Sequence, residues 1–502
     1  MTQGAGCRRH RGRRASMHQG RTSAPGLLMH SGWTSTTGLL LLLLLGPSLA
    51  APLPQTTGHP QDGDRAFAEA YLQKFFGYES HHSRERRSCG PDAFQAKVRE
   101  MQRAFGLLES GELNGETLAA MRRPRCGLSD AEEFGPLMRW TNHNLTYSIE
   151  GSIPKMRPRH VRKAFREAWK VWAEVTPLQF RRRARREADI IVSFNRRDHG
   201  DGASFDGSGG ILAHAFQPGK GIGGDVHFDA EEDWTVNSKG YNLFAVATHE
   251  FGHTLGLPHS SDPGAVMYPS YNFVTHTDFL LSDQDVRDIQ KLYGINPNFS
   301  ALKLKRPPPK TPERCDPGLV FDAVSGMQQE IVFFKDRFMW RTHPSFDSIG
   351  VTFLTSLWPD VPSYIDAAYE DVENGAMLFF KGNQYWKVKG MTLQENYPRS
   401  ISDLGLPPSV KAVDAALHLR DKRHTVFFSG RDCWRYDNAR SQMMEGYPKP
   451  IAHEWPGIDT SVDAAVSSNG FVYFFKGNNQ YEYDPRLKYV KSMTPANKWL
   501  RC

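Results

Sequence analysis

The segment HEFGHTLGLPHS contains three histidines around one glutamate. Residues four apart share one face of a helix, so His249 and His253 point the same way and Glu250 lies beside them. Gly256 allows a sharp turn, after which His259 can return to the same point. Three neutral imidazoles leave one position of a zinc ion open, which is typical of a catalytic rather than a structural site. The spacing therefore predicts a zinc centre that activates water, with Glu250 as the general base.

A lone cysteine, Cys126, lies well upstream in the segment PRCGLSD. A thiolate is a better zinc ligand than water, so Cys126 held over the open position would keep the centre silent until its segment is removed. The alternative is a disulfide between Cys126 and Cys89. Downstream of the histidines, AVMYP supplies Met267 for a turn beneath the metal.

Helices and strands of a mixed α+β unit must position these residues. Apolar spacings of three and four predict helices over 66–78 and 92–107, with a shorter one over 110–123. The segment 145–151 alternates as a strand does, and VRKAFREAWKVWAEV is an amphipathic helix. ADIIVSF is typical of a buried strand, and Ser282 is the natural N-cap of a closing helix. The proline-rich segment 296–314 is predicted to be a semi-rigid linker.

The remainder of the chain repeats a short pattern four times. Its repeated aspartates, each followed by an aromatic strand, are Asp322, Asp366, Asp414 and Asp463. A period of 40–50 residues with several strands per unit predicts a four-bladed all-β propeller. Because the ends of a propeller meet, a disulfide between Cys315 and Cys502 would tie the ring shut. Cys433, within a blade strand, is predicted to be a buried free thiol.

Seven consecutive leucines at 39–45, preceded by basic residues and followed by Ala50 and Ala51, predict a secretory leader. Translation could begin at Met1, Met17 or Met29. The expected domains are a leader (1–50), a helical propeptide (51–133), a catalytic unit (134–295), a hinge (296–314) and the propeller (315–502). No later apolar run spans 18 residues, so we expect a secreted, extracellular protein without a membrane span.

Composition excludes little else. The net charge of +7 is concentrated in runs such as RRHRGRR and RRRARR, which are expected to be solvated faces or sites for acidic glycans. Nothing indicates nucleic-acid binding. Two glycosylation sequons begin at Asn144 and Asn298, and the second, in the hinge, is the better candidate. The segment RERR at 84–87 fits a convertase site but precedes Cys126, so cleavage there would leave the cysteine in place.

From about residue 65 to the end, the chain resembles the matrixins, or matrix metalloproteinases. The resemblance rests on PRCG, on HExxHxxGxxH with its methionine turn, and on the four repeats, which look like a haemopexin-like domain. The stretch GGILAHAFQPGKGIGGDVHFDAEEDW and the blades look most like the collagenases, among them the neutrophil type. The switch motif departs from the usual Val-Pro-Asp at Leu128-Ser129-Asp130, and the connection from Cys126 towards the expected mature N-terminus near Phe134 is short.

The resemblance implies further ions and a substrate cleft. A second, closed zinc site would use His199, Asp201, His214 and His227. One calcium site would use Asp206, Gly207, Gly209, Ile211, Asp229 and Glu232. Another would use Asp189, Gly221, Gly223 and Asp225, and the four blade aspartates are calcium candidates in the propeller. The substrate would lie antiparallel to the strand carrying Leu212 and Ala213, with Pro269 and Tyr271 walling the pocket for the side chain after the scissile bond.

These expectations describe a secreted, latent zinc endopeptidase that cuts extracellular-matrix proteins, with fibrillar collagen as the favoured substrate. Its expected partners are collagen and other matrix proteins, tissue inhibitors of metalloproteinases, and activating proteases. One alternative is a stromelysin-like protease of broad specificity that leaves native collagen uncut. A second is a non-catalytic matrix-binding protein whose propeller is the working part.

Overall fold

A computed structural model describes residues 62–79, 91–131, 138–184, 187–236, 240–272, 279–299, 308–344, 349–420, 423–459 and 461–502. The predicted leader, RERR with Cys89, Phe134 and the last two arginines of RRRARR lie outside these residues. The class predicted from sequence is confirmed: a helical segment, an α+β unit with a mixed sheet, and a four-bladed propeller. Within the described ranges, no helix is long and apolar enough to cross a membrane.

The described part of the N-terminal segment contains three helices: α1 (Asp62–Phe76), α2 (Pro91–Ala104) and α3 (Gly115–Met121). Gln102, fully buried between them, donates to Thr117 Oγ1 (3.0 Å) and accepts from the Gly111 N–H (2.8 Å). The third helix is shorter than predicted because Asn114 is extended and its side chain accepts from the Thr117 N–H, which starts the helix there. The apolar core of this segment also includes Tyr268 of the α+β unit.

One six-stranded sheet forms the α+β unit, with strand order β1-β5-β6-β4-β2-β3. All its neighbours are parallel except β5 and β6, and its first strand comes from the predicted propeptide. The strands are β1 (Arg125–Cys126), β2 (Asn144–Glu150), β3 (Gln179–Arg182), β4 (Ile190–Asn195), β5 (Ile211–Ala215) and β6 (Val226–Asp229). Two short strands, β7 (Trp234–Thr235) and β8 (Tyr241–Asn242), pair beside it.

Three helices pack around this sheet: α4 (Pro158–Val175), α5 (Leu243–Thr254) and α6 (Asp283–Tyr293). Helix α5 is buried along its whole length, and it packs against α4. The Trp169 ring of α4 stacks on Phe251 with centroids 3.6 Å apart. Trp172 donates to the Thr248 carbonyl (2.9 Å), so the helix that carries His249 and Glu250 is fixed by aromatic packing and by hydrogen bonds.

The propeller consists of four antiparallel sheets. The first blade contains β9 (Ala323–Met327), β10 (Glu330–Lys335), β11 (Phe338–Thr342) and β12 (Val351–Phe353), and the second contains β13 (Ala367–Asp371), β14 (Ala376–Lys381), β15 (Gln384–Lys389), β16 (Thr392–Leu393) and β17 (Arg399–Ser400). The third blade contains β18 (Ala415–Leu419), β19 (His424–Ser429), β20 (Asp432–Asp437), β21 (Gln442–Met443) and β22 (Lys449–Pro450). The fourth contains β23 (Ala464–Ser468), β24 (Phe471–Lys476), β25 (Asn479–Asp484) and β26 (Tyr489–Pro495). Short helices α7 (Leu354–Leu357) and α8 (Ile451–Glu454) lie between blades.

The repeated aspartates have the same structural role in every blade. Each lies directly before the first strand, and its backbone N–H donates to the second strand. Each carboxylate accepts a backbone N–H after that second strand, as Asp414 does from Gly430 (2.7 Å). Asp322 and Asp463 also pair with Lys335 and Lys476. Among the described residues, the four aspartates do not form a cluster of possible metal ligands, so calcium in the propeller stays a prediction.

A disulfide joins Cys315 to Cys502, and Cys433 is a buried free cysteine, as predicted. The bond closes a loop with a sequence separation of 187. Because cross-linking a long loop restricts the unfolded chain, we expect the Cys315→Ser/Cys502→Ser variant to lose about 4 kcal/mol of propeller stability. Denaturant unfolding followed by tryptophan fluorescence measures this loss. An unchanged midpoint in a fully oxidised wild-type comparison would contradict it.

Candidate metal centre and active site

Helix α5 presents His249, Glu250 and His253 towards one point. The Nδ1 atoms of the two histidines lie 2.7 Å from the carbonyl oxygens of Val266 and Leu257, respectively. Because a carbonyl can only accept, each Nδ1 carries the proton and each Nε2 has a free lone pair. The two Nε2 atoms are 3.1 Å apart. Ligands of a tetrahedral zinc ion are separated by about 3.3 Å, so this spacing fits a shared metal.

His259 reaches the same point through a turn at Gly256. That glycine has φ +95°, and a Cβ added there would collide with the Met138 carbonyl oxygen. His259 Nδ1 contacts Asp130 Oδ1 (2.8 Å), while its Nε2 is buried without a hydrogen-bond partner. A buried nitrogen without a hydrogen-bond partner, next to two nitrogens with free lone pairs, is the pattern expected of metal ligands when only protein atoms are considered.

Burial keeps these imidazoles neutral. It lowers the pKa of His249 to about 3, with His259 adding to the effect, and it lowers the pKa of His253 well below its ordinary value. The pKa of His259 is also lowered, chiefly by burial. Neutral imidazole is the form that binds metal, so the donor set fits zinc.

Cys126 lies over this centre at the edge of the sheet. Its Sγ is 3.6 Å from His253 Nε2 and 3.6 Å from Glu250 Oε2. The ligand atoms of Cys126 and the three histidines all lie within 4.8 Å of one another. Burial raises the pKa of the free thiol, but a bound zinc ion deprotonates a coordinating thiol outright. The arrangement therefore fits a fourth metal ligand supplied by the propeptide.

Strand β1 lies in the cleft between β5 and the loop 269–271. The Arg125 N–H donates to the Gly210 carbonyl and the Gly127 N–H to the Ala213 carbonyl, both at 2.8 Å. On the other side, the Cys126 N–H donates to the Pro269 carbonyl (3.0 Å). A Cβ on Gly127 would lie 2.8 Å from Ile211 Cγ2, so this close approach requires glycine. The strand runs parallel to β5, opposite to the direction expected for a substrate.

A buried ion pair holds this segment in place. Arg125, which is 2% exposed, donates to Asp130 Oδ2 (2.7 Å) and to the Tyr71 hydroxyl (2.5 Å). Its guanidinium also stacks on Phe75, with Cζ 3.8 Å from the ring centroid. Although burial opposes ionisation, Arg125 and His259 lower the pKa of Asp130. The same carboxylate therefore links the propeptide arginine to a predicted zinc ligand, a contact that the sequence did not reveal.

Glu250 is buried directly beneath the cysteine. One of its carboxylate oxygens, Oε2, accepts from Cys126, and the other has no hydrogen-bond partner. Burial raises the pKa of Glu250 to about 8, and the hydrogen bond from Cys126 opposes that rise. A buried carboxylate beside a possible metal site is placed to exchange a proton with a group bound there.

The second predicted zinc set also converges. Asp201 Oδ2 lies 2.7–2.8 Å from ring nitrogens of His199, His214 and His227. His199 Nε2 and His214 Nε2 are 3.1 and 3.2 Å from His227 Nδ1. Burial lowers the pKa of His214 to about 4, so this ring is neutral. Four ligand atoms that converge on one point, with no position left open, fit a structural metal.

The first predicted calcium loop gathers three carboxylates. The Asp206 carboxylate accepts from the Ile211 N–H (3.0 Å), and Glu232 accepts from the Gly209 N–H (2.8 Å). Asp229 Oδ2 and Glu232 Oε2 are buried without a hydrogen-bond partner. Burial raises the pKa of Glu232 to about 7, with nearby carboxylates adding to the rise. Unpartnered carboxylate oxygens suit a hard cation, but among the described residues these three carboxylates do not form a cluster of possible metal ligands, so this calcium site stays a prediction.

The second predicted calcium set is less converged. Burial raises the pKa of Asp225 to about 6, and this residue accepts from the Ile191 N–H (2.8 Å). Asp189 is exposed and accepts from the backbone and hydroxyl of Thr146, both at 2.7 Å. Gly221 and Gly223 lie in the turn before β6. Among the described residues, this set does not form a carboxylate cluster.

A cavity of about 60 Å³ extends from the centre into the body of the protein. Leu212, Pro269 and Tyr271 line it, as expected for the substrate pocket, whereas Ala213 lies at 0% exposure on the same strand. Cys126, His249 and Glu250 also line it. The sequons lie elsewhere: Asn144 begins β2 and Asn298 follows α6, and both are exposed.

Asp285 helps to position the residues of the metal centre, a role that the sequence did not reveal. Its carboxylate accepts from the Val266 N–H (2.8 Å), the Met267 N–H (3.2 Å) and the Ser282 N–H and hydroxyl. Val266 is the residue whose carbonyl oxygen contacts His249 Nδ1, and Met267 packs against Gly252 of α5. Asp285 therefore joins the cap of α6 to the methionine turn and, through it, to a predicted ligand.

We expect Asp285→Ala to destabilise the α+β unit by about 3 kcal/mol, because four donors, most of them buried, lose their acceptor. Loosening of His249 should also lower zinc affinity by about 10- to 100-fold. Thermal unfolding and competition with a chelator measure the two effects. Asp288→Ala, which removes a half-buried carboxylate on the same helix, is the matched control. Equal behaviour of the two variants would contradict this role.

Comparisons with known proteins agree with the geometry. A family model described as Matrixin matches residues 139–294, one described as Hemopexin matches 321–363, 365–408, 413–460 and 462–502, and one described as Putative peptidoglycan binding domain matches 61–121. The chain is 44% identical over 473 residues to the neutrophil collagenase of Homo sapiens, covering 93% of this chain and 99% of that protein. It is 43% identical over 467 residues to the interstitial collagenase of Bos taurus, covering 92% and 98%. The chain therefore belongs to the matrixin family and is a zinc-dependent metalloendopeptidase.

Proposed function

We propose that this chain is a secreted, latent collagenase that cuts fibrillar collagen in the extracellular matrix. The observation that carries the proposal is the convergence of Cys126 with His249, His253 and His259 in a cleft that the propeptide fills. Similarity to two collagenases over most of the chain supports the substrate class. Tissue inhibitors of metalloproteinases and activating proteases are its proposed partners.

In the proposed mechanism, the three histidines hold the catalytic zinc, which supplies Lewis acidity and lowers the pKa of water. Glu250 accepts the proton of the attacking water and passes it to the leaving amine. Its buried position beside the histidines supports this role, because a general base must lie within reach of the reacting atoms. The edge of β5 binds the substrate backbone once β1 has left, and the cavity takes the side chain after the scissile bond.

Latency is proposed to depend on β1. Cys126 occupies the position where water would be activated, and its neighbours occupy the hydrogen-bonding edge that a substrate would use. The parallel direction of β1 presents its backbone in the opposite sense to the expected substrate, which supports binding without cleavage. Removal of residues 51–133 by another protease would expose the centre.

The remaining sites are part of the same proposal. His199, Asp201, His214 and His227 hold a structural zinc ion. Two calcium ions occupy the loops around Asp206 and Asp225, with further calcium at the blade aspartates. Asn298 and Asn144 carry glycans. The proposed boundaries are leader 1–50, propeptide 51–133, catalytic unit 134–295, hinge 296–314 and propeller 315–502.

Intact type I collagen tests the substrate. We expect the activated enzyme, incubated below the melting temperature of the triple helix, to produce a few discrete large fragments, because a native triple helix exposes few cleavable sites. Gel electrophoresis at several times reads the result, with heat-denatured collagen as the control substrate. Cleavage of the denatured form alone would contradict a collagenase and favour the stromelysin-like alternative. A chelator-insensitive product pattern would contradict the metal centre.

A further inference from the structure

The propeller reaches the cavity described above. Arg337, between strands β10 and β11 of the first blade, and Phe353 of β12 line the same cavity as Glu250 and Leu212. Ala245 of α5 lines the cavity as well. The propeller therefore contributes to the lining of the predicted specificity pocket, which is not made by the α+β unit alone.

Arg337 is fixed at this interface. Its Nη2 donates to the Gly264 carbonyl (2.7 Å), and its Nη1 lies 3.4 Å from the Leu280 carbonyl. The guanidinium carbon lies 5.3 and 5.1 Å from the ring centroids of Phe338 and Phe353. Two of these contacts are to carbonyls of the loop that walls the pocket, so the guanidinium position is coupled to the pocket itself.

Arg337 is buried, and not all of its N–H donors have a hydrogen-bond partner. It is only 3% exposed, and its Nε has no hydrogen-bond partner. Within the described part of the chain it forms no salt bridge; the titratable groups that surround it are Tyr364, Asp285, Asp262 and Asp336. Asp285, as shown above, already accepts from four donors. A buried cation with an unpartnered N–H is costly unless something else supplies an acceptor.

We propose that Arg337 is a specificity-determining residue, with which the propeller selects substrates whose side chain after the scissile bond is long and ends in a carboxylate or amide oxygen. This rests on the proposed role of the cavity as the pocket for that side chain. Glutamate and glutamine supply the missing acceptor, and the planar guanidinium can bind such an oxygen through more than one N–H. Methionine has a side chain of similar length but no comparable acceptor, so a methionine peptide distinguishes an effect of side-chain length from an effect of the acceptor oxygen.

Four peptides that differ only at this position, with glutamate, glutamine, methionine or leucine, test the proposal in the activated enzyme with its propeller. The measured quantity is the ratio of kcat/KM for the glutamine or glutamate peptide to that for methionine. In Arg337→Leu we expect at least one of these ratios to fall about tenfold, the effect of one charge-assisted hydrogen bond. Arg399→Leu, in which an exposed arginine of the second blade is replaced, is the matched control and should keep both ratios.

Unchanged ratios in an Arg337→Leu protein with a wild-type thermal transition would overturn the proposal. If that variant does not fold, Arg337→Lys decides, because it keeps the charge but loses the planar fork: an intermediate ratio supports the proposal, and a wild-type ratio contradicts it. Hydrolysis of the leucine peptide by the wild-type enzyme reports the protease activity separately. If the wild-type enzyme does not hydrolyse the leucine peptide, the proposed function is wrong. If it does, but the kcat/KM ratios are the same in wild type and Arg337→Leu, only the proposed role of Arg337 is wrong.

Discussion

The Glu250→Gln enzyme is expected to cleave peptides at least about 10²- to 10⁴-fold more slowly than wild type, which is the usual contribution of a general base. Glutamine has nearly the same shape, so the packing of the fully buried side chain within α5 should persist. It cannot accept a proton, however, so the attacking water would lose its base. The loss should appear in kcat, because the proton is transferred in the transition state.

Initial rates on one fluorogenic peptide, measured after removal of the propeptide, give this value. Zinc content is the necessary companion measurement, since Glu250 lies next to two predicted ligands and a metal-free variant would be inactive for another reason. Glu231→Gln, at a partly buried glutamate outside the centre, is the control. A zinc-loaded Glu250→Gln enzyme with wild-type kcat would exclude Glu250 as the base.

Replacement of Cys126 by alanine is expected to give the uncleaved chain activity. If the closed state is favoured by about 3 kcal/mol, only about 1% of molecules are open, and loss of the thiolate could raise the rate by up to about 100-fold. The rise should be partial, because the backbone hydrogen bonds of β1 on both sides of the cleft remain. Arg125→Leu should therefore add to it by removing the buried pair with Asp130.

Peptide hydrolysis by the full-length variants, with a gel at each time point to exclude propeptide loss, measures this release. Cys433→Ala controls for removal of a buried thiol, and Arg122→Leu controls for removal of an exposed propeptide arginine. If the uncleaved Cys126→Ala/Arg125→Leu chain stays as silent as wild type while retaining its zinc, the latent state does not depend on this contact.

Motifs with local spacing could be predicted from the sequence, and contacts between distant elements could not. The helix that carries His249 and His253 follows from a spacing of four. The four repeats predict four blades, and in each blade an equivalent aspartate bonds to the second strand and closes the first hairpin. Ser282 was correctly predicted as an N-cap. Its partner Asp285 fits the same capping pattern, but nothing local indicates that this carboxylate also reaches the methionine turn.

The missed residues are joined to the centre only by tertiary packing. Asp130 was noted as part of the switch motif, yet its contact with His259 depends on how the propeptide lies in the cleft. Arg337 is one of many arginines in the sequence, and its place in the lining of the pocket depends on how the first blade docks. The third propeptide helix was predicted too long because helical periodicity extended past the point where Asn114 caps the chain.

Zinc K-edge X-ray absorption of the uncleaved protein tests the central claim most directly, because it reports the atoms bound to the metal. If Cys126 and the three histidines share one zinc ion, the wild-type zymogen shows a zinc–sulfur shell that disappears in Cys126→Ala and after propeptide removal. The histidine shell, which includes the second predicted site, should persist throughout. A wild-type zymogen that holds its zinc without any sulfur ligand would contradict the account.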